Sequence, residues 1–181
     1  MKQIGVGILG FGTVGAGVAD GLLKHRDVMA QRLGVDIVLR KIADLDITTD
    51  RGIAVPEGVL TTDAKGVIAD PEVQIVVETI GGTGIAKTFV LEALNNHKCV
   101  VTANKKLLAE YGAEIFDTAK KNGVDIYFGA SVGGGIPIIR VLREGLAGNT
   151  IESIHGILNG TCNYILTRME NEGLPFDEVL K

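Results

Sequence analysis

Ile4-Gly5-Val6-Gly7-Ile8-Leu9, followed without a break by Gly10-Phe11-Gly12-Thr13-Val14-Gly15, decides the fold. The first six residues are a short apolar run, the pattern of a strand buried on both faces. The next six spell G-x-G-x-x-G. From Thr13 to about Arg32 apolar residues then recur at helical spacing, at Val14, Val18, Leu22 and Leu23. Glycine at these three positions has separate physical reasons: a tight turn, close approach of the backbone to a pyrophosphate, and close packing of helix on strand. The helix start that follows offers free N–H groups and a positive dipole end to phosphates. The competing reading is a structural turn without a ligand.

Outward from this unit the hydrophobic period keeps switching. Val35 to Ala43 reads as a second strand, and 45–58 as irregular, with Thr48, Thr49, Gly52, Pro56 and Gly58 as breakers. A short helix is expected before Asp70-Pro71, and a third strand over Gln74 to Ile80. Ile85 to Asn95 reads as helix and Lys98 to Ala103 as a fourth strand. Lys105 to Asn122 is a helix with Asn104 as N-cap and Gly123 as its stop. Val124 to Phe128 is a fifth strand. Strands separated by helices predict an α/β fold with a doubly wound parallel sheet, a Rossmann-type dinucleotide-binding domain over residues 1–130. Ligands of such sheets sit at the carboxyl ends of the strands, where the glycine clusters fall.

After Phe128 the texture changes. Gly133-Gly134-Gly135-Ile136-Pro137 opens a helix running to Leu146; Ile151 to Leu158 reads as a strand and Thr161 to Asn171 as a helix. Residues 131–181 are therefore expected to begin a second α/β domain.

Composition narrows the function classes. The balance of 46% apolar to 22% charged residues is that of a soluble globular chain. Glycine is in excess, 25 residues, without a collagen repeat, which fits turns and close backbone approaches. A net charge of −4 with no basic patch argues against duplex binding, and 4% aromatics without Trp against base stacking. Cys99 and Cys162 fit no metal spacing, which suggests a reduced, intracellular chain. The N-terminus lacks signal-peptide regions and no apolar run nears the length of a span, so no membrane partner is expected and the cytoplasm is the default.

Four further places carry candidate chemistry. Asp44, at the end of the second strand, is the acid expected on the adenosine ribose; it lies further from the glycine motif than the usual roughly 20 residues, and its alternative is an exposed strand-end acid. Ile80, Gly81 and Gly82 would border the nicotinamide half, or form a simple loop. Lys105 follows the fourth strand at the positive end of a helix. An amine destabilised as ammonium there suits proton transfer to a carbonyl being reduced, its alternative being a solvated lysine. Cys162, near a helix start with His155 close in sequence, could be a thiolate nucleophile, against the commoner reading of a packed small hydrophobe.

Taken together, Gly7 to Gly15, Val101-Thr102-Ala103-Asn104-Lys105, Ser131 to Ile139 and Gly156 to Ile165 resemble homoserine dehydrogenases over nearly the whole chain. The resemblance implies interconversion of L-homoserine and L-aspartate 4-semialdehyde with NAD or NADP, in threonine and methionine biosynthesis. It implies that Gly10, Phe11, Gly12, Thr13, Val14 and Gly15 hold the pyrophosphate and that Lys105 assists proton transfer or substrate positioning beside the nicotinamide. It also implies a monovalent cation such as Na⁺ on the carbonyls of Gly129, Val132, Gly134 and Ile136, and a homo-oligomer. Asn159 to Asn163 would lie near the cofactor. Many relatives have Arg where this chain has Ala43; Asp44 without it favours NAD, with Arg40 or Lys41 left as the cations that could reach a 2′-phosphate. The family's substrate-binding acids and main catalytic lysine come later than Lys181, so the sequence is expected to be the first part of a longer protein. The alternatives are a non-catalytic NAD(P) sensor and a thiol-dependent semialdehyde dehydrogenase using Cys162.

Overall fold

The computed structural model describes residues 1–157 and 159–181. The elements run β1 (Gln3–Leu9), α1 (Thr13–Lys24), α2 (Arg26–Leu33), β2 (Asp36–Ala43), β3 (Leu60–Thr61), α3 (Ala64–Ala69), β4 (Ile75–Glu78), α4 (Gly84–Asn95), β5 (Cys99–Thr102), α5 (Lys105–Asn122) and β6 (Ile126–Tyr127). All six strands pair in parallel, in the order β3-β2-β1-β4-β5-β6.

This order explains where the helices lie. The step from β1 to β2 runs one way across the sheet, and the steps from β3 to β4, β5 and β6 run the other way. Right-handed crossovers then place α1 on one face and α3, α4 and α5 on the opposite face. The packing agrees. Ala16 and Ala19 of α1 pack with Val6, Ile8 and Ile42, whereas Ile68, Val90, Leu107 and Ile115 pack with Leu9, Val76 and Val100. Ile8 and Leu9, adjacent in β1, therefore belong to opposite layers, and both are fully buried. The order reverses beside β1, and a crevice opens there at the carboxyl ends of β1 and β4.

Several sequence expectations need adjusting. The helix expected over Thr13 to Arg32 is two helices, meeting at His25. Arg26 opens the second by a bidentate pair with Asp36, at 2.7 Å for each bond, and α2 buries no residue. The irregular stretch after Leu45 ends in β3, too short for periodicity to register. The fifth expected strand shrinks to β6.

Contacts divide the chain into two compact units, Met1–Ile139 and Arg140–Lys181. A short helix, α6 (Ile138–Arg140), leads into a wider π-helical turn over Val141–Gly145; α7 (Gly160–Glu172) and α8 (Phe176–Val179) follow. The strand expected over Ile151 to Leu158 is absent from residues 151–157, all of them exposed and without a ladder partner; Leu158 lies outside the described residues. Among the described residues no helix is long and apolar enough to cross a membrane.

Candidate functional site

The glycine turn joins β1 to α1 at the crevice. Gly10 takes φ +99°, which only glycine adopts without strain, and a Cβ there would stand 2.8 Å from the Thr79 carbonyl carbon. A Cβ on Gly15 would stand 1.9 Å from the Gly10 carbonyl oxygen, so helix and strand touch backbone to backbone. Gly12 is different. A Cβ there meets nothing within 4 Å; it would project into open space at the start of α1, whose N-cap is Gly12 itself with no capping side chain. First-turn N–H groups of a helix have no partner within it. A small backbone lobe with free donors beside an open cradle is what a pyrophosphate needs. Thr13 and Val14 are exposed beside it and Phe11 is buried beneath it.

Neighbouring groups fix the turn. Gly10 N–H donates to the Ala43 carbonyl at 2.8 Å, and the Thr79 hydroxyl donates to the Gly10 carbonyl at 2.8 Å. Phe11 N–H donates to the Asp44 carboxylate, whose other oxygen accepts from Asp46 N–H at 2.8 Å. Asp44 thus stands at the end of β2 against the glycine turn, with its remaining lone pairs free for hydroxyl donors. The long spacing from Gly15 to Asp44 is explained by α2, inserted before β2. A cavity of about 580 Å³ lies here, lined among others by Gly10, Gly12, Asp44, Leu45, Thr62 and Ile80. Its place beside Gly10, Gly12 and Asp44 fits the adenosine half of a dinucleotide, with Ile80 on its border towards the Gly81–Gly82 loop.

The cations considered for a 2′-phosphate are committed elsewhere. Arg40 donates to Gln3 Oε1 at 3.1 Å and sits 3.7 Å from Glu72, towards the amino ends of the strands. Lys41 Nζ donates to the Gly58 carbonyl at 2.6 Å. A residue not singled out from the sequence, Arg51, pairs with Asp46 at 3.1 Å and lines a second cavity of about 380 Å³ beside Gly12 and Thr13.

The other half of the crevice is organised around Glu78, which sequence reading missed. Glu78, the last residue of β4, is fully buried. Its Oε1 accepts from Ile80 N–H at 2.9 Å and Gly81 N–H at 3.1 Å, and its Oε2 accepts from the Thr102 hydroxyl. Thr102 Oγ1 accepts from Asn104 N–H at 3.0 Å. Asn104 donates from Nδ2 to the Gly82 carbonyl at 2.6 Å and caps α5 by accepting from Leu107 N–H at 3.0 Å. The start of α5, where Lys105 is exposed in the first turn, is thereby tied to the Gly81–Gly82 loop through Asn104. The available signal was an acid closing the otherwise apolar Ile75-Val76-Val77.

Gly129, Val132, Gly134 and Ile136 share one loop, 129–136. The Ser131 hydroxyl ties it to the Thr102 carbonyl at 2.9 Å. Two of the four carbonyls accept a backbone N–H: Gly129 from Val132 at 3.4 Å and Ile136 from Ile138 at 2.8 Å. Cys162 is exposed in the first turn of α7, its N–H capped by Asn159 Oδ1 at 2.8 Å. The strand that would have placed His155 is absent, so the geometry for a thiolate–imidazole pair is not built.

The open glycine cradle, the acid at the end of β2 and the strand order define a Rossmann-type dinucleotide-binding domain. Residues 10–129 match the family model described as the NAD binding domain of homoserine dehydrogenase, and residues 137–181 match the homoserine dehydrogenase model. The chain belongs to the homoserine dehydrogenase family. It is 48% identical over its whole length to a homoserine dehydrogenase of Bacillus subtilis, covering 42% of that protein. To one of Neisseria gonorrhoeae it is 50% identical, again over its whole length and 41% of the relative. A crystal structure of a homoserine dehydrogenase from Thiobacillus denitrificans superposes with a TM-score of 0.87 at 47% identity, covering 99% of this chain and 42% of that one. A hyperthermophilic archaeal homoserine dehydrogenase in complex with NADPH superposes at 0.73 with 28% identity, over 98% and 59% of the two chains. The chain thus spans about two fifths of the length of the curated relatives named here.

Proposed function

We propose that the protein interconverts L-homoserine and L-aspartate 4-semialdehyde, with this chain supplying the NAD(P) site. The observation that carries the reading is the pairing of an open glycine cradle at Gly12 with a second, separately organised loop pair at Gly81–Gly82 and Asn104–Lys105. A dinucleotide needs both halves. Bound there, its nicotinamide would accept or supply the hydride. The backbone of Gly10 to Gly15 holds the pyrophosphate, Asp44 accepts from the ribose hydroxyls, and Ile80, Gly81 and Gly82 border the nicotinamide. Lys105 Nζ takes the proton of the homoserine hydroxyl on oxidation and returns it to the aldehyde oxygen on reduction.

NAD is the preferred form, because the Asp44 carboxylate repels a 2′-phosphate and Arg40 and Lys41 are tied elsewhere. The carbonyls of the 129–136 loop are the candidate seat of a monovalent cation, and the protein works as a cytoplasmic homo-oligomer with a small-molecule substrate. The capped, unpaired Cys162 gives no support to a thiol mechanism, and no observation favours a non-catalytic sensor. The test is homoserine-dependent reduction of NAD and NADP, followed by absorbance, with the 181-residue chain beside the full-length protein. Turnover at full length, faster with NAD, is expected. A folded, cofactor-binding full-length protein without turnover would overturn the reading. In that protein, Asp44→Asn should raise the KM for NAD and narrow the ratio between the two cofactors, and Lys105→Ala should lower kcat.

A further inference from the structure

We propose that Glu78 is a positioning residue for the nicotinamide half of the cofactor, an inference that rests on the dinucleotide reading above. A carboxylate with no exposure is costly unless donors converge on it. Nothing in the strand pairing calls for one. Glu78 and Thr102 are register partners at the carboxyl ends of β4 and β5, where apolar side chains would serve the sheet as well.

The hydrogen bonds instead form a closed circuit between two loops. Glu78 holds Ile80 N–H, Gly81 N–H and the Thr102 hydroxyl. Thr102 holds Asn104, and Asn104 returns to the Gly82 carbonyl. Gly81 and Gly82 both carry positive φ, 80° and 68°, and a Cβ on either meets nothing within 4 Å. A glycine pair facing open space would move freely without an anchor, and Glu78 is the anchor reaching it from inside the sheet. The same circuit sets the first turn of α5, and with it Lys105. The glycine turn and Asp44, on the adenosine side, are held by other bonds.

Glu78→Gln removes the charge on which the donors converge and replaces the Oε2 acceptor by an N–H donor, so the Thr102 hydroxyl loses its acceptor and the bond between them must reverse. The test compares binding of NADH with binding of ADP-ribose, which lacks the nicotinamide, in the full-length protein before and after the change. NADH affinity should fall about tenfold, while ADP-ribose, which meets the circuit only at its Ile80 border, should lose no more than about twofold. With homoserine, kcat should fall more than KM rises. Thr102→Val, which keeps volume and removes only the hydroxyl, should show the same selective loss in milder form and serves if Glu78→Gln does not fold. Equal weakening of both ligands, or of neither, would overturn the proposal. Unaltered protein that binds neither ligand would overturn the dinucleotide reading along with it. Binding of both without homoserine turnover would overturn the substrate reading alone, and the two affinities would still decide the role of Glu78.

Discussion

In Met1–Ile139 the side chains of Ile8, Ile42, Ile68, Leu94, Leu107 and Ile115 are all fully buried, in two layers on either side of one sheet. In Arg140–Lys181, among the described residues, only Ile165 and Val179 are buried hydrophobics, and each keeps some exposure, 9% and 8%. The first unit is held by contacts between residues far apart in sequence. The second leans on local devices: Asn159 capping α7, Gly173 in a left-handed conformation at its end, and Arg168 paired with Glu172 one turn away. A segment of about 40 residues cannot bury enough apolar surface to be stable on such devices alone. The difference teaches that the glycine turn and the loops around Glu78 sit on a scaffold stiff enough to aim backbone groups, while the second unit, among the described residues, has few buried side chains to do the same.

The largest effects should separate the two regions by core truncation. Ile115→Ala leaves a cavity in a closed layer and should cost about 2–5 kcal/mol, measured by urea unfolding. Ile165→Ala should cost less than about 1 kcal/mol, near the level of surface changes. Equal losses would break the contrast.

Backbone crowding should give a smaller effect of the same kind. Gly15→Ala forces a Cβ against the Gly10 carbonyl, which should cost about 1–3 kcal/mol and weaken NADH binding by displacing the start of α1. Gly160→Ala, where a Cβ meets nothing within 4 Å, should stay within about 0.5 kcal/mol. Comparable melting curves for the two variants would show that the glycine turn is looser than its contacts imply.

The same division governs what could be read from sequence. Strands β1, β4 and β5 announce themselves by short apolar runs, and β2 by its β-branched residues despite Arg40 and Lys41. Helix α5 is legible to the residue because Asn104 and Gly123 cap its ends by local chemistry. The glycine turn follows from spacing between neighbours in the chain, and Asp44 was singled out by its place at the end of the second strand, against the usual spacing. Glu78 and Arg51 were not legible, nor was the part that Thr102 plays between Glu78 and Asn104, because these roles depend on partners brought close in the fold. The strand expected at Ile151 shows the converse. Among the described residues no strand pairs with its β-like sequence, and residues 151–157 remain irregular.

The smallest expected effects concern two carboxylates, one in each region, both held below the usual range for different reasons. Asp46 is lowered by hydrogen bonds from the Thr49 side chain and then from the N–H groups of Thr49 and Thr48. Glu172 is lowered by hydrogen bonds from Arg168, at 2.9 and 2.6 Å, and by the guanidinium charge. Each folded value lies below the unfolded one, about 3.9 for Asp and about 4.3 for Glu. Each group's contribution is therefore complete above that unfolded value and is lost as the pH falls through the folded one. Salt distinguishes them. The Arg168–Glu172 pair is solvent-exposed and should weaken as the screening length contracts to about 3 Å at 1 M salt, whereas most of the lowering of Asp46 comes from uncharged donors. Carboxyl-carbon titrations by NMR should show the Glu172 midpoint climbing with salt and the Asp46 midpoint staying low. An Asp46 midpoint that climbs as far would mean that its neighbour Arg51, not the threonine turn, fixes this edge of the cavity beside Gly12.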